Sequence, residues 1–139
     1  MTANINPVFG LTPNNGRARL TAANTASDGS GTLVTLFTAG SNGSIVDRIR
    51  YMNSQATAAL SSAMVIRVFE TDNAGANPRL ILEFPVAAAT RSTTAIGAGN
   101  YIDIPGGKKL VASALLKVIQ SVYAGAQDQM DITAEGWDY

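Results

Sequence analysis

Two long segments, residues 44–53 and 63–72, alternate in side-chain character, and this pattern most constrains what the chain can fold into. In the second segment, Met64, Ile66 and Val68 share one side of an extended chain. In the first, Arg48 and Arg50 share one side, and the opposite side carries Ile45, Ile49 and Tyr51. Successive side chains of a β-strand leave opposite faces of the sheet. The two segments are therefore predicted to be central strands that each bury one face.

Shorter alternating segments, separated by turn residues, complete an all-β pattern. The further predicted strands are 17–24, 32–38, 79–86, 100–104, about 108–116, and 130–139. The segment 109–122 stays ambiguous, because its apolar residues also fit the spacing of a short helix. Short strands at this spacing, interrupted by Gly, Asn and Pro, are typical of an antiparallel sandwich. We expect an all-β, jelly-roll-like sandwich of about eight strands.

The first sixteen residues are rich in proline, glycine and asparagine, a composition that disfavours regular structure. We therefore divide the chain into an extended N-terminal arm, residues 1–16, and a β-sandwich domain, residues 17–139. The arm is interpreted either as a frayed terminus or as a segment that docks its apolar residues on another protein. The residues that would make that contact are Val8, Phe9 and Leu11.

The composition argues against several classes of function. The chain has no cysteine and no histidine, so it lacks thiolate chemistry, the usual general base and the commonest metal ligand. Ten basic residues balance ten acidic ones, and only 14% of the chain is charged. Nucleic acids and anionic membranes are bound mainly by clustered Lys and Arg. We expect no catalytic residues, no cofactor, no metal, and no nucleic-acid or membrane partner.

No segment looks like a targeting or membrane-spanning element. The stretch Met1–Pro7 lacks the basic and apolar regions of a secretion signal. No apolar run approaches the ~20 residues that a spanning helix needs. We therefore expect a protein that is made and used without a secretion signal of its own.

Aromatic residues near the C-terminus form the second candidate contact site. Trp137 and Tyr139 lie in the last predicted strand, and aromatic rings commonly anchor protein interfaces. Together with Tyr51, Tyr101 and Tyr123, the same rings could form a platform that stacks on a sugar, although a single tryptophan in a strand is more often a packing residue. Both interpretations stay open from the residues alone.

Three stretches together resemble small structural proteins of tailed bacteriophages and prophages. They are Ala22–Thr32 running into Leu33–Thr35 and Thr38–Gly40, then Gly43–Ile49, and finally Ala134–Tyr139. The similarity in order and spacing covers most of the chain from Arg17 onward, and it carries turn and strand signatures rather than an active site. Residues 1–16 and the length of 117–127 depart from the pattern.

This resemblance implies a non-enzymatic β-sandwich component of the virion. The implied role is a cement or decoration protein on the capsid, with a tail or head–tail accessory protein as the alternative. The implied partners are the major capsid protein or other virion proteins, together with further copies of the chain in a homo-oligomer. A host-glycan-binding module of the same fold remains a rival interpretation.

Overall fold

The computed structural model describes residues 12–55 and 59–139. Within these residues the chain forms eight β-strands and one short 3₁₀ turn. The strands are β1 (Thr12–Leu20), β2 (Val34–Thr38), β3 (Ser44–Asn53), β4 (Met64–Asn73), β5 (Arg79–Val86), β6 (Gly99–Leu110), β7 (Ala114–Gln120) and β8 (Met130–Asp138). The 3₁₀ turn covers Ala126–Asp128.

The strands form two four-stranded sheets that pack face to face, and every pairing between strands is antiparallel. Sheet A has the order β1-β8-β3-β6, and sheet B has the order β2-β7-β4-β5. Only the β4–β5 connection stays within one sheet, while every other connection crosses between the sheets. This is the eight-stranded double Greek key of a jelly roll. The predicted all-β, jelly-roll-like sandwich is confirmed.

The first strand begins earlier than predicted. β1 starts at Thr12, so residues 12–16 belong to sheet A and not to an irregular arm. Their Pro and Asn residues fit because β1 is an edge strand, where one side of the backbone needs no ladder partner. Gly16 fits because it faces the backbone of β2 with no room for a side chain.

The segment 109–122, which fitted either a strand or a helix, contains the end of one strand and all of the next. β7 covers Ala114–Gln120, and residues 108–110 belong to the preceding strand β6. β6 does not end before Pro105, because Gly106 and Gly107 adopt positive φ angles of 75° and 69° and carry the chain through a bulge. Glycine takes these angles without steric cost.

Alternation is interrupted inside β3, where the pairing with both neighbouring strands shifts between Val46 and Arg48. Val46 and Ile49 are both fully buried in the core. Ile45 instead pairs with Trp137 on the outer side of sheet A. The prediction that Ile45 shares the buried face with Ile49 is therefore wrong, because a β-bulge changes which face the following residues occupy.

The two predicted central strands are inner strands, but of different sheets. β3 lies between β8 and β6 in sheet A, and β4 lies between β7 and β5 in sheet B. Arg50 of β3 and Arg67 of β4 therefore lie on the outer faces of different sheets. An ion pair between the sheets joins Lys108 of β6 to Glu70 of β4, with 2.7 Å between Lys108 Nζ and Glu70 Oε2.

The end of β8 is fixed by hydrogen bonds to two other strands. The Asp138 carboxylate accepts a hydrogen bond from Asn14 Nδ2 at 2.8 Å and another from Ser44 Oγ. Burial by itself raises the pKa of Asp138, but the hydrogen bonds from Ser44 and Asn14 outweigh it, so the pKa lies below its ordinary value. The carboxylate therefore stays ionised at neutral pH and holds β1, β3 and β8 together.

Candidate interaction surface

The outer face of sheet B is covered in part by the chain itself. The loop between β1 and β2 crosses it, and Arg67 Nη1 of β4 donates to the carbonyl oxygen of Thr25 at 3.2 Å. Farther along the loop, a Cβ atom at Gly29 would lie 2.6 Å from the ring of Pro78. Phe69 and Ile119 are buried although neither belongs to the core between the sheets. This face is therefore packed against its own loop.

The outer face of sheet A is exposed, and we call it the open face. Strand register places four rows of side chains on it. In order they are Pro13–Trp137–Ile45–Lys109, Asn15–Glu135–Arg48–Asp103, Arg17–Thr133–Arg50–Tyr101, and Arg19–Asp131–Met52–Gly99. Within residues 12–55 and 59–139, no segment packs over these rows as the β1–β2 loop does over sheet B. The open face is thus a surface that another molecule can reach.

Charges on the open face alternate in sign from strand to strand. Arg19 Nε lies 2.7 Å from Asp131 Oδ1, Arg48 Nε lies 2.6 Å from Asp103 Oδ1, and Arg50 Nε lies 2.7 Å from Glu135 Oε1. The hydrogen bond from Arg19 lowers the pKa of Asp131. Exposed pairs of this kind contribute only ~0.2–1 kcal/mol each to stability. Their larger effect is to fix where positive and negative side chains lie on the open face.

Three large apolar side chains project from the same face. Trp137 is 43% exposed, Tyr101 is 51% exposed, and Met52 is 52% exposed. The guanidinium carbon of Arg48 lies 4.4 Å from the centre of the Tyr101 ring, in a cation–π contact. Aromatic residues, Met and Arg are the residue types enriched in protein interfaces. The open face therefore carries several residues of these types.

A shallow depression of about 380 Å³ lies at one end of the open face. Its lining includes Trp137 and the carboxylates of Asp47, Asp103 and Glu135. Two of these three acids are engaged by arginine, Asp103 by Arg48 and Glu135 by Arg50. The depression has room for an aromatic ring or another side chain.

Two of the predicted contact residues lie in or directly after β8. Trp137 lies on the open face. Tyr139 follows β8 two residues beyond Trp137, and its backbone nitrogen donates to the Gly43 carbonyl oxygen at 3.2 Å. Val8, Phe9 and Leu11 fall outside the described residues, and their predicted role stays a prediction.

Sequence reasoning did not identify Tyr101, Met52 and Arg48 as parts of one surface. Each lies on an outward position of its strand, and period-two alternation could have placed Arg48 and Tyr101 there. The strand order could not be predicted from the sequence. It places β6 beside β3 and brings Tyr101 next to Arg50.

Among residues 12–55 and 59–139, there is no helix of the length and apolarity needed to cross a membrane. The same residues contain no cluster of three or more acidic side chains placed to hold a metal ion. Comparison with protein-family models and with curated protein sequences found no match.

Proposed function

We propose that this protein is a non-enzymatic structural component of a tailed-bacteriophage virion, most specifically a cement or decoration protein on the capsid. The observation that carries the proposal is the open face, an exposed sheet surface with Trp137, Tyr101 and Met52 among paired charges. The sequence resemblance supplies the virion setting. The jelly roll is compatible with it, although fold by itself does not select a function.

The proposed mechanism is thermodynamic. A protein that binds only the assembled shell stabilises that shell by mass action. When many copies bind one particle and also contact one another, weak individual contacts act together. The protein then needs a stable scaffold and an exposed contact surface, and it needs no catalytic site.

The number of copies per particle tests this proposal. Particles purified from the strain that encodes the chain should contain hundreds of copies by quantitative mass spectrometry if the protein decorates the shell. A dozen or fewer copies would place it at the tail or the head–tail junction instead. Particles without the protein would overturn the virion assignment.

Two variants locate the contact on the particle. Trp137→Ala should reduce occupancy severalfold, because it removes the largest exposed ring of the open face. Deletion of residues 1–11 tests Val8, Phe9 and Leu11, and it stops before β1 so that sheet A stays intact. Ile96→Ala is the matched control, because Ile96 is a 90% exposed apolar residue of the β5–β6 loop and belongs to none of the four rows.

A host-glycan-binding module is the second candidate, and the depression beside Trp137 favours it. An aromatic ring next to carboxylates and Asn15 can stack on a sugar and hydrogen-bond its hydroxyl groups. This candidate predicts that the purified protein binds host-surface polysaccharide and that Trp137→Ala abolishes the binding. A decoration protein predicts no such affinity.

A further inference from the structure

We infer that the open face binds a second copy of this chain, with the two-fold axis parallel to the strands and passing between β8 and β3. This inference goes beyond the virion assignment and does not depend on it, since it concerns the purified protein. It rests on the order in which charged and apolar residues are arranged across sheet A.

The signs of the charges follow the strand order. β1 carries Arg17 and Arg19, and β3 carries Arg48 and Arg50, so both present positive columns. β8, which lies between them, carries Asp131 and Glu135, whereas β6 carries both Asp103 and Lys109. Across the sheet the columns therefore read positive, negative, positive and mixed.

A two-fold axis along the strands places the negative column of β8 over the positive column of β3. It sets β1 of one copy over β6 of the other and β8 over β3, with every row kept at the same height. Glu135 then faces Arg48 of the second copy, Trp137 faces Ile45, and Arg17 faces the ring of Tyr101. Each contact occurs twice, as an isologous interface requires.

The other in-plane axis gives a poor match. A two-fold axis perpendicular to the strands sets each strand over its own counterpart and reverses the rows. Arg50 would then face Arg48 of the second copy, and like charges placed opposite each other disfavour an interface. The charge pattern therefore selects the axis parallel to the strands.

The size of the face predicts a weak dimer. Four strands about 4.8 Å apart, each contributing about seven residues at about 3.4 Å, present roughly 450 Å² of sheet per copy. The total buried area is then roughly 1,000 Å², at the low end for specific interfaces. We expect a dissociation constant on the order of 10–100 μM, weakened further by salt because the contacts are largely charged.

A charge exchange between two separately prepared variants tests both the interface and its register. Arg48→Glu and Glu135→Arg each place like charges opposite one another in a homodimer, so each variant alone should be monomeric by sedimentation velocity. When the two variants are mixed, both contacts become attractive again, and native mass spectrometry should detect the heterodimer. The wild-type protein should dimerise reversibly over the same concentrations.

The controls separate loss of the interface from loss of the fold. Arg79→Glu makes the same charge change at an exposed position of sheet B and should dimerise like the wild type. Thermal melts report whether the variants fold. Trp137→Ala is expected to weaken dimerisation at least tenfold, and it is used in place of any charge variant that does not fold. A wild-type protein that stays monomeric at low salt up to several hundred micromolar, or a mixture that forms no heterodimer, would overturn the inference.

Discussion

Gly16→Ala is expected to destabilise the protein by about 3 kcal/mol or more, a large fraction of the stability of a single domain. A Cβ atom at this position would lie 1.9 Å from the carbonyl oxygen of Leu36 and 2.7 Å from the Cα atom of Phe37. Both atoms belong to the backbone of β2, so no side-chain rotation can relieve the overlap. The edge strands of the two sheets would have to separate.

Chemical denaturation measures the effect of Gly16→Ala directly. The matched control is Gly125→Ala, where the nearest atom to the added Cβ is Oε1 at the flexible end of the Gln127 side chain. The control should change the free energy of unfolding by less than about 1 kcal/mol. Equal stability of the two variants would mean that β1 and β2 do not pack as closely as the structure shows.

Asp128→Ala is expected to have a comparable effect, about 3 kcal/mol, for a different reason. The Asp128 side chain is buried, and its carboxylate accepts hydrogen bonds from the backbone nitrogen of Ser62 at 2.6 Å and of Ala124 at 2.7 Å. The hydroxyl of Ser62 adds a third, at 3.0 Å. Alanine would leave these partly buried donors without their carboxylate partner, at about 1–3 kcal/mol each.

The position of Asp128 explains why replacing this one residue is expected to lower the free energy of unfolding so much. Its carbonyl oxygen accepts a hydrogen bond from Gln120 Nε2 at 3.1 Å, and the neighbouring Gln127 carbonyl accepts one from Asn53 Nδ2 at 2.8 Å. Gln120 ends β7 in sheet B, and Asn53 ends β3 in sheet A. The 3₁₀ turn is therefore held by buried amides from both sheets and closes this end of the sandwich.

The unfolding midpoint of Asp128→Ala in urea should be compared with that of Asp72→Ala. Asp72 is exposed and bonds Asn77 Nδ2 at 2.6 Å at the surface, so its loss should cost less than about 1 kcal/mol. Asp128→Asn keeps one acceptor oxygen, so its unfolding midpoint should lie between those of the wild type and Asp128→Ala. If Asp128→Ala unfolds at the wild-type urea concentration, the buried network does not contribute as described.

Period-two alternation predicted β3 and β5 with the boundaries that the structure shows, because each has one face in the core and the other in solvent. It failed where the backbone departs from regular pairing. The bulge at Asp47 moved Ile45 to the outer face, and the glycines of β6 extended that strand past Pro105. Such irregularities depend on the partner strand, which local sequence does not contain.

The contact surface was harder to predict than the fold. Trp137 was identified from its residue type, but its place on one face with Tyr101 and Arg48 follows from a strand order set by crossings between the sheets. Asp128 lies in a turn, and its side chain is buried because groups from distant parts of the chain contact its carboxylate. Long-range packing determines both the grouping of Trp137 with its neighbours and the burial of Asp128. Neither feature is visible as a local pattern in the sequence.

Hydroxyl-radical footprinting of the assembled protein tests the central claim, that the open face is the surface through which this protein binds protein. Trp137, Tyr101 and Met52 are readily oxidised side chains that are about half exposed in the free chain. We expect their oxidation to fall severalfold between the dilute protein and purified particles. Unchanged oxidation of all three in particles that contain the protein would contradict the claim.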